Sequence, residues 1–198
     1  MTPLSTLSKD MEAYTSGKIS YQEFKRREGM RNAQALWPAI EALAKAGKWD
    51  EFCSKAQYNY DTMAAAFRFY YKDIPANLKR SFALSCYSHR GDLLSCCRKA
   101  VRGLDRNGIN ELPLQYAGKD EITVYRAGEE PIEKAKYRLS WTLSYDVAKK
   151  FLSGLNSSHA VAIYKAKIRP QDIIAYMDDR EEQEVLQYRK VYDIEQIE

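Results

Sequence analysis

Apolar positions recur at a helical spacing through about the first 104 residues of the chain, and at a spacing close to two after about residue 120. In the first part, Ser20-Tyr21-Gln22-Glu23 has the form of a capping box and predicts a helix start. Pro38 after Trp37 predicts the start of another helix, and Gly47 its end. Asp50 is placed to cap Glu51 to Lys55, and Asp61 to cap the segment TMAAAFRFYYK. Pro75 suits the first turn of ANLKRSFALSCYS, where Ile74, Leu78 and Phe82 recur every four residues. A further helix, DLLSCCRKAVRGL, is expected to end near Gly103, with DRNGIN as a turn and LPLQYAGKD leading out.

The second part contains EITVYRAG, YRLSWT, HAVAIYKAKI, DIIAYM, EVLQYRKV and YDIEQI, short segments rich in Val, Ile and Tyr that read as strands. One helix interrupts them, capped by Ser144, with Tyr145, Ala148 and Phe151-Leu152 on one stripe. Pro170 falls between two strands, where a turn is wanted. A helical part followed by strands is an α+β arrangement, not the alternating βαβ of a parallel sheet. The expected organisation is a helical N-terminal lobe over 1–115 and a β-rich core over 116–198, packed as one compact unit. No internal repeat, GxGxxG or GxxxxGK[ST] occurs, which argues against a dinucleotide fold or a P-loop of those types.

Composition adds boundaries. The chain has 198 residues, 45% hydrophobic and 29% charged, enough for a real core and too apolar for a disordered chain. No apolar run approaches a membrane span, and MTPLSTLSKDMEAY lacks the basic-then-apolar order of a secretory leader. A cytoplasmic protein without a membrane partner is the expectation. Cys53, Cys86, Cys96 and Cys97 form no CxxC pair, and His89 and His159 are the only histidines, so reduced packing thiols are expected and a metal site is not. Residues 1–115 carry 18 Lys and Arg against 12 Asp and Glu, and residues 116–198 carry 13 against 15. The basic half can attract nucleic acid, although a solvated helical surface explains so modest an excess more cheaply.

The chemistry-bearing residues lie in the second half. In the acidic run Asp178-Asp179-Arg180-Glu181-Glu182-Gln183-Glu184, the last acids stand at the mouth of a strand that continues through Val185 and Leu186. Alternation puts Glu182, Glu184 and Leu186 on one face, with Leu186 in the core and the two carboxylates bordering a cleft. Such a pair can divide its labour, one group stabilising positive charge and the other handling a proton. Arg126, at the end of a strand and followed by Ala127 and Gly128, can grip a phosphate with its planar fork. Ser140-Trp141-Thr142 ends a short strand before the capped helix.

Taken in order, Tyr125-Arg126, then Leu139-Ser140-Trp141-Thr142 with the helix through Ala148 and Phe151, then Glu182-Gln183-Glu184-Val185-Leu186, resemble the Arg-Ser-Glu class of mono-ADP-ribosyltransferases of bacterial toxin and phage type. The resemblance covers roughly residues 121–195. It implies a split β-sandwich and an enzyme that cleaves the nicotinamide–ribose bond of NAD, its substrate, and passes ADP-ribose to a macromolecule. It also implies roles: Arg126 on the NAD phosphates, with Ala127 and Gly128 holding the nicotinamide amide through their backbone. Ser140 would orient the glutamate and the nicotinamide ribose, Glu184 would be the catalytic glutamate, and Glu182 would meet the acceptor. Trp141, Thr142 and Phe151 would line the NAD site, with core packing an equal claim on Trp141 and Phe151. Tyr176, in the short loop before Glu182, would be an aromatic contact for the acceptor.

In the family the middle motif is usually Ser-Thr-Ser; here it is Ser-Trp-Thr. A Glu at the first position of Glu-x-Glu goes, in the family, with arginine acceptors more than with asparagine, while some relatives modify RNA or DNA. The resemblance to toxins also brings a neutralising antitoxin or inhibitor into the list of expected partners. Two other readings stay open: a binding module that kept the fold and lost the activity, and an NAD glycohydrolase. In the helical half, Tyr87, His89, Arg90 and Asp92 form an interhelical turn that can face NAD or the acceptor or simply lie at the surface. Tyr58, Tyr60, Phe67, Phe69, Tyr70 and Tyr71, interleaved with Arg68 and Lys72, suit base stacking, but helix packing accounts for most of them.

Overall fold

The computed structural model describes residues 3–89, 94–155, 159–178 and 180–198. The chain is a mixed α+β protein and divides into two compact units, Met1–Val101 and Arg102–Glu198. None of its described helices is long and apolar enough to cross a membrane.

The first unit is helical: α1 Pro3–Thr15, α2 Tyr21–Lys45, α3 Trp49–Ala56, α4 Tyr60–Phe69, α5 Ala76–Ser88 and α6 Ser95–Arg102, whose last residue opens the second unit. Ser20 caps α2 as expected, its Oγ accepting from the Glu23 N–H at 3.1 Å, although the Glu23 carboxylate turns to Arg26 and Arg27 instead of closing the box. Pro38 does not start a helix; α2 runs through it for 25 residues. Pro38 lies on the exposed side, while Phe24, Ala33, Ile40 and Ala44 form the buried stripe. Gly47 ends α2 at φ +71°, with its N–H on the Ala44 carbonyl and that of Lys48 on the Leu43 carbonyl, a Schellman closure. Asp50 and Asp61 sit inside the first turns of α3 and α4, and Asn59 is the side-chain cap of α4, accepting from the Asp61 and Thr62 N–H groups. Phe52, Phe67 and Phe82 make the aromatic centre of the unit, with ring centroids 5.3 Å apart for Phe67–Phe82 and 6.3 Å for Phe52–Phe82.

The second unit begins at residue 102, not 116. The intervening segment is bound to the strands that follow: Gly108 lies so flat on residues 173–175 that an added Cβ would collide with the Ile173 side chain and stand 2.7 Å from the Ala175 nitrogen. Arg106 stacks 3.9 Å above the Tyr188 ring, and Glu111 accepts from the Tyr176 N–H at 3.0 Å. These contacts, invisible in a turn-rich stretch of sequence, carry the boundary back by fourteen residues.

The strands are β1 Ile122–Gly128, β2 Ser140–Thr142, β3 Ala162–Ile168, β4 Ile173–Met177, β5 Glu184–Gln187 and β6 Tyr192–Gln196. They form one antiparallel sheet in the order β4-β5-β2-β1-β3-β6. β1 and β3 share seven residue pairs, but β1 and β2 share only Tyr125–Thr142. The sheet is therefore two three-stranded halves joined by one rung. Helix α7 is Ile132–Ala135, and α8 is Tyr145–Leu152. α8 packs on β1 through Tyr125 and Tyr145, whose ring centroids lie 5.6 Å apart. Ser144 caps α8 by accepting from the Val147 N–H.

Candidate active site

The site is built around the rung that joins the two half-sheets. Thr142 pairs with Tyr125 of β1 on one side and with Glu184 of β5 on the other, and Glu184 pairs in turn with Met177 of β4. Ser140 stands opposite Leu186. Residues two apart on a strand share a face, so Ser140, Thr142, Glu184 and Leu186 look to one side, and Trp141 and Val185 to the other. Ser140 and Glu184 are thus diagonal neighbours, within reach of each other's side chains. Their bond is made: the Ser140 Oγ donates to Glu184 Oε1. The carbonyl of the same serine accepts from Arg126 Nη1 at 2.9 Å. Arg126, Ser140 and Glu184 form one hydrogen-bonded run, with Ser140 as the shared residue.

Arg126 is held from behind by a residue that sequence pattern did not single out. Glu130, 8% exposed, accepts from Arg126 Nε at 3.1 Å and from Arg138 Nε at 2.8 Å. Burial alone would raise the Glu130 carboxyl; the charge and hydrogen bond of Arg126, with Arg138 beyond, outweigh it and hold the group below the usual carboxylate range. Tyr164, buried on β3, donates its hydroxyl to the Glu130 carbonyl. Gly128 belongs to this arrangement, because an added Cβ would lie 2.8 Å from the Glu130 carboxylate. A signal was present in Arg-Ala-Gly-Glu-Glu: a glycine and an acid four residues after an arginine. It did not say which of Glu129 and Glu130 turns inward.

Glu182 and Glu184 come together, though not by simple alternation. Strand β5 starts at Glu184, and Glu181 and Gln183 adopt positive φ, 56° and 45°. The bend is pinned by the Thr142 hydroxyl, which donates to the Glu182 carbonyl at 2.7 Å and accepts from the Ser144 N–H at 3.0 Å. Leu143 N–H donates to the Gln183 carbonyl, and Gln183 N–H to Asp178 Oδ1, both at 3.0 Å. Both glutamates are buried, and Arg180 bridges them, with Nη2 at 2.8 Å from Glu182 Oε2 and 3.5 Å from Glu184 Oε2. Asp179 lies outside the described residues.

The remaining expected residues divide. Tyr176 sits on β4 opposite Val185, one pair from Glu184; burial first, and Asp178 second, push its phenol up to about 12. Ala127 and Gly128 run past the end of β2 and, among the described residues, ladder only with β3. Phe151 is half-buried on α8. Trp141 is only 2% exposed in the core, with Nε1 donating to the Arg138 carbonyl, so the structure gives it to packing and not to a cleft wall. The Thr142 hydroxyl is engaged within the protein. In the first unit Tyr87 is buried, and His89 is exposed beside Tyr58; Arg90 and Asp92 lie outside the described residues. Phe67 is buried and Tyr70 and Tyr71 are half-buried, as helix packing requires, whereas Tyr58, Tyr60 and Phe69 are exposed.

Among the described residues no three His, Cys, Asp or Glu side chains group as metal ligands, and the four cysteines are free thiols. Comparison with protein-family models, curated proteins and solved structures gives no match.

Proposed function

We propose that the second unit is an NAD-dependent mono-ADP-ribosyltransferase. One observation carries the reading: an arginine, a serine and a glutamate from three separate strands meet through Ser140, with a second glutamate bridged to the first. The two half-sheets, joined by a single rung, also suit the split β-sandwich of that fold class.

The residue types answer the chemistry. Cleavage of the nicotinamide–ribose bond passes through an oxocarbenium-like state, as glycoside cleavage does. Nicotinamide leaves as a neutral base, so no acid has to protonate it. What the reaction needs is a fixed negative charge beside the ribose, and Glu184, oriented by the Ser140 hydroxyl, provides it. Arg126, fixed by Glu130 and by the Ser140 carbonyl, grips the diphosphate with its exposed edge and holds the dinucleotide while the ribose turns. Glu182 takes the acceptor, a protein side chain (arginine by preference) or an RNA or DNA base, and removes its proton.

Incubation of the protein with cell lysate and NAD labelled in the adenylate half tests this. Expected are release of nicotinamide and transfer of label to a macromolecule, sorted by protease and nuclease treatment. Glu184→Gln should lower transfer at least about 100-fold, the effect of losing roughly 3 kcal/mol of preorganised charge, with a cooperative melt showing that the variant is folded. Full transfer by that variant would refute the assignment. Free ADP-ribose formed at full rate without an acceptor would make the protein a glycohydrolase, and NAD binding without cleavage would make it a binding module.

A further inference from the structure

We propose that Arg180 is itself an ADP-ribose acceptor, modified within its own chain. This rests on the transferase reading and specifies its acceptor chemistry as a guanidinium. The Arg180 Nη2 contacts Glu182, the carboxylate assigned to the acceptor, and lies 3.5 Å from Glu184, the carboxylate assigned to the ribose. A guanidinium nitrogen thus stands between the groups that would activate a nucleophile and those that would stabilise the electrophile.

Stabilisation alone does not account for this placement. The Arg180 side chain is 47% exposed. An ion pair with so exposed a partner contributes at most about 1 kcal/mol. Glu181 and Gln183 meanwhile hold left-handed backbone, which costs non-glycine residues on the order of 1 kcal/mol each. Hydrogen bonds from Thr142, Leu143 and Gln183 pin the bend that carries both carboxylates beneath the arginine. The strain goes into geometry at the reacting groups, where such outliers concentrate.

The step balances. Arg180 Nη2 forms a bond to C1′ of the nicotinamide ribose as the C1′–nicotinamide bond breaks, its electron pair leaving with neutral nicotinamide. The nitrogen passes one proton to Glu182 and on to water. The products are ADP-ribosyl-Arg180, nicotinamide and a proton. Because the acceptor is tethered, the reaction is first order in protein and needs no second macromolecule.

The test uses the full chain with NAD and no other acceptor, reading nicotinamide release, intact mass and the modified peptide. A single ADP-ribosyl group on Arg180, formed at a rate unchanged by dilution, is the expected result. Arg180→Lys should reduce the label to background, with a melting curve showing that the variant is folded. A Glu184→Gln chain mixed with the wild type should stay unlabelled at Arg180; label there would overturn the intramolecular step. Arg180 left unmodified, with label passing to a macromolecule only when lysate is added, would overturn this proposal and leave the transferase reading standing; free ADP-ribose released at full rate with no acceptor present would overturn both. Absence of nicotinamide release, even with lysate present, would overturn the transferase reading and this inference with it.

Discussion

Glu130→Gln separates the electrostatic support of Arg126 from everything else in the site. The substitution keeps the volume of a side chain packed against Gly128 while removing its charge and exchanging one acceptor oxygen for an amide donor. Two charge-assisted hydrogen bonds lose strength. The bond to Arg126, whose side chain is 23% exposed, is worth about 1.5 kcal/mol. That to Arg138, 51% exposed, is screened by water and worth about 0.5 kcal/mol. Both bonds go to Oε1, which glutamine keeps, so about 2 kcal/mol is the upper bound of the loss and a urea midpoint of the second unit moves down by up to about 2 M. Trp141 is the only indole of that unit, so a Trp37→Phe, Trp49→Phe background isolates its unfolding by fluorescence.

The pH dependence fixes the cause. The folded Glu130 carboxyl lies below its ordinary value, so its contribution is complete above the ordinary carboxylate range and disappears as pH falls through the depressed folded value. The gap between wild type and variant should be full near neutrality and close in acid. A loss under about 0.5 kcal/mol at neutral pH, or a gap that persists unchanged into acid, would refute the claim that the Glu130 charge anchors Arg126.

Thr142→Val, nearly the same shape, removes the hydroxyl bonds to the Glu182 carbonyl and the Ser144 N–H and should cost about 1–2 kcal/mol in the same unfolding assay. On the transferase reading it should also depress transfer more than NAD breakdown, since the bend it frees carries Glu182; equal falls would sink that link. Gly47→Ala should destabilise the first unit by about 1 kcal/mol, because nothing crowds the new Cβ and only the left-handed backbone resists it. Gly47→Asn should cost less in the same thermal melt, followed by circular dichroism, and equal effects would argue against a backbone cause.

What the sequence disclosed follows the range of the interactions. Strands, caps and turns depend on neighbours a few residues apart, and Ser20, Ser144, Pro170 and all six strand segments could be read directly. Pro38 misled because a helix tolerates a missing N–H when the proline ring faces solvent and the apolar stripe continues through Ile40 and Ala44. Asn59 was missed as a cap because Asp61 offered the same chemistry two residues later. The unit boundary was misplaced because Gly108 and Arg106 bind partners more than sixty residues away. Glu130 and Arg180 escaped for a related reason: an arginine or glutamate in a loop is ordinarily a solvated charge, and only the fold shows which of them turns onto another site residue.

The burial of Trp141 can be understood from the pleat. Across β2 and β5, residues 140, 142, 184 and 186 share one face, and residues 141 and 185 the other. The middle position of Ser-Trp-Thr therefore cannot touch a ligand held against Glu184 without leaving the strand. It goes to the core instead, and a large apolar ring there gains burial while its ring N–H finds the Arg138 carbonyl. That same carbonyl accepts from Gln187 Nε2 at 2.7 Å, so Trp141 and Gln187 jointly fix the backbone that presents Arg138 to Glu130. The hydroxyls that face the carboxylates are both present. Ser140 orients Glu184, and Thr142 sets the bend of Glu182. Trp141 thus occupies the buried face, and the opposite face of β2 is left to the hydroxyls of Ser140 and Thr142.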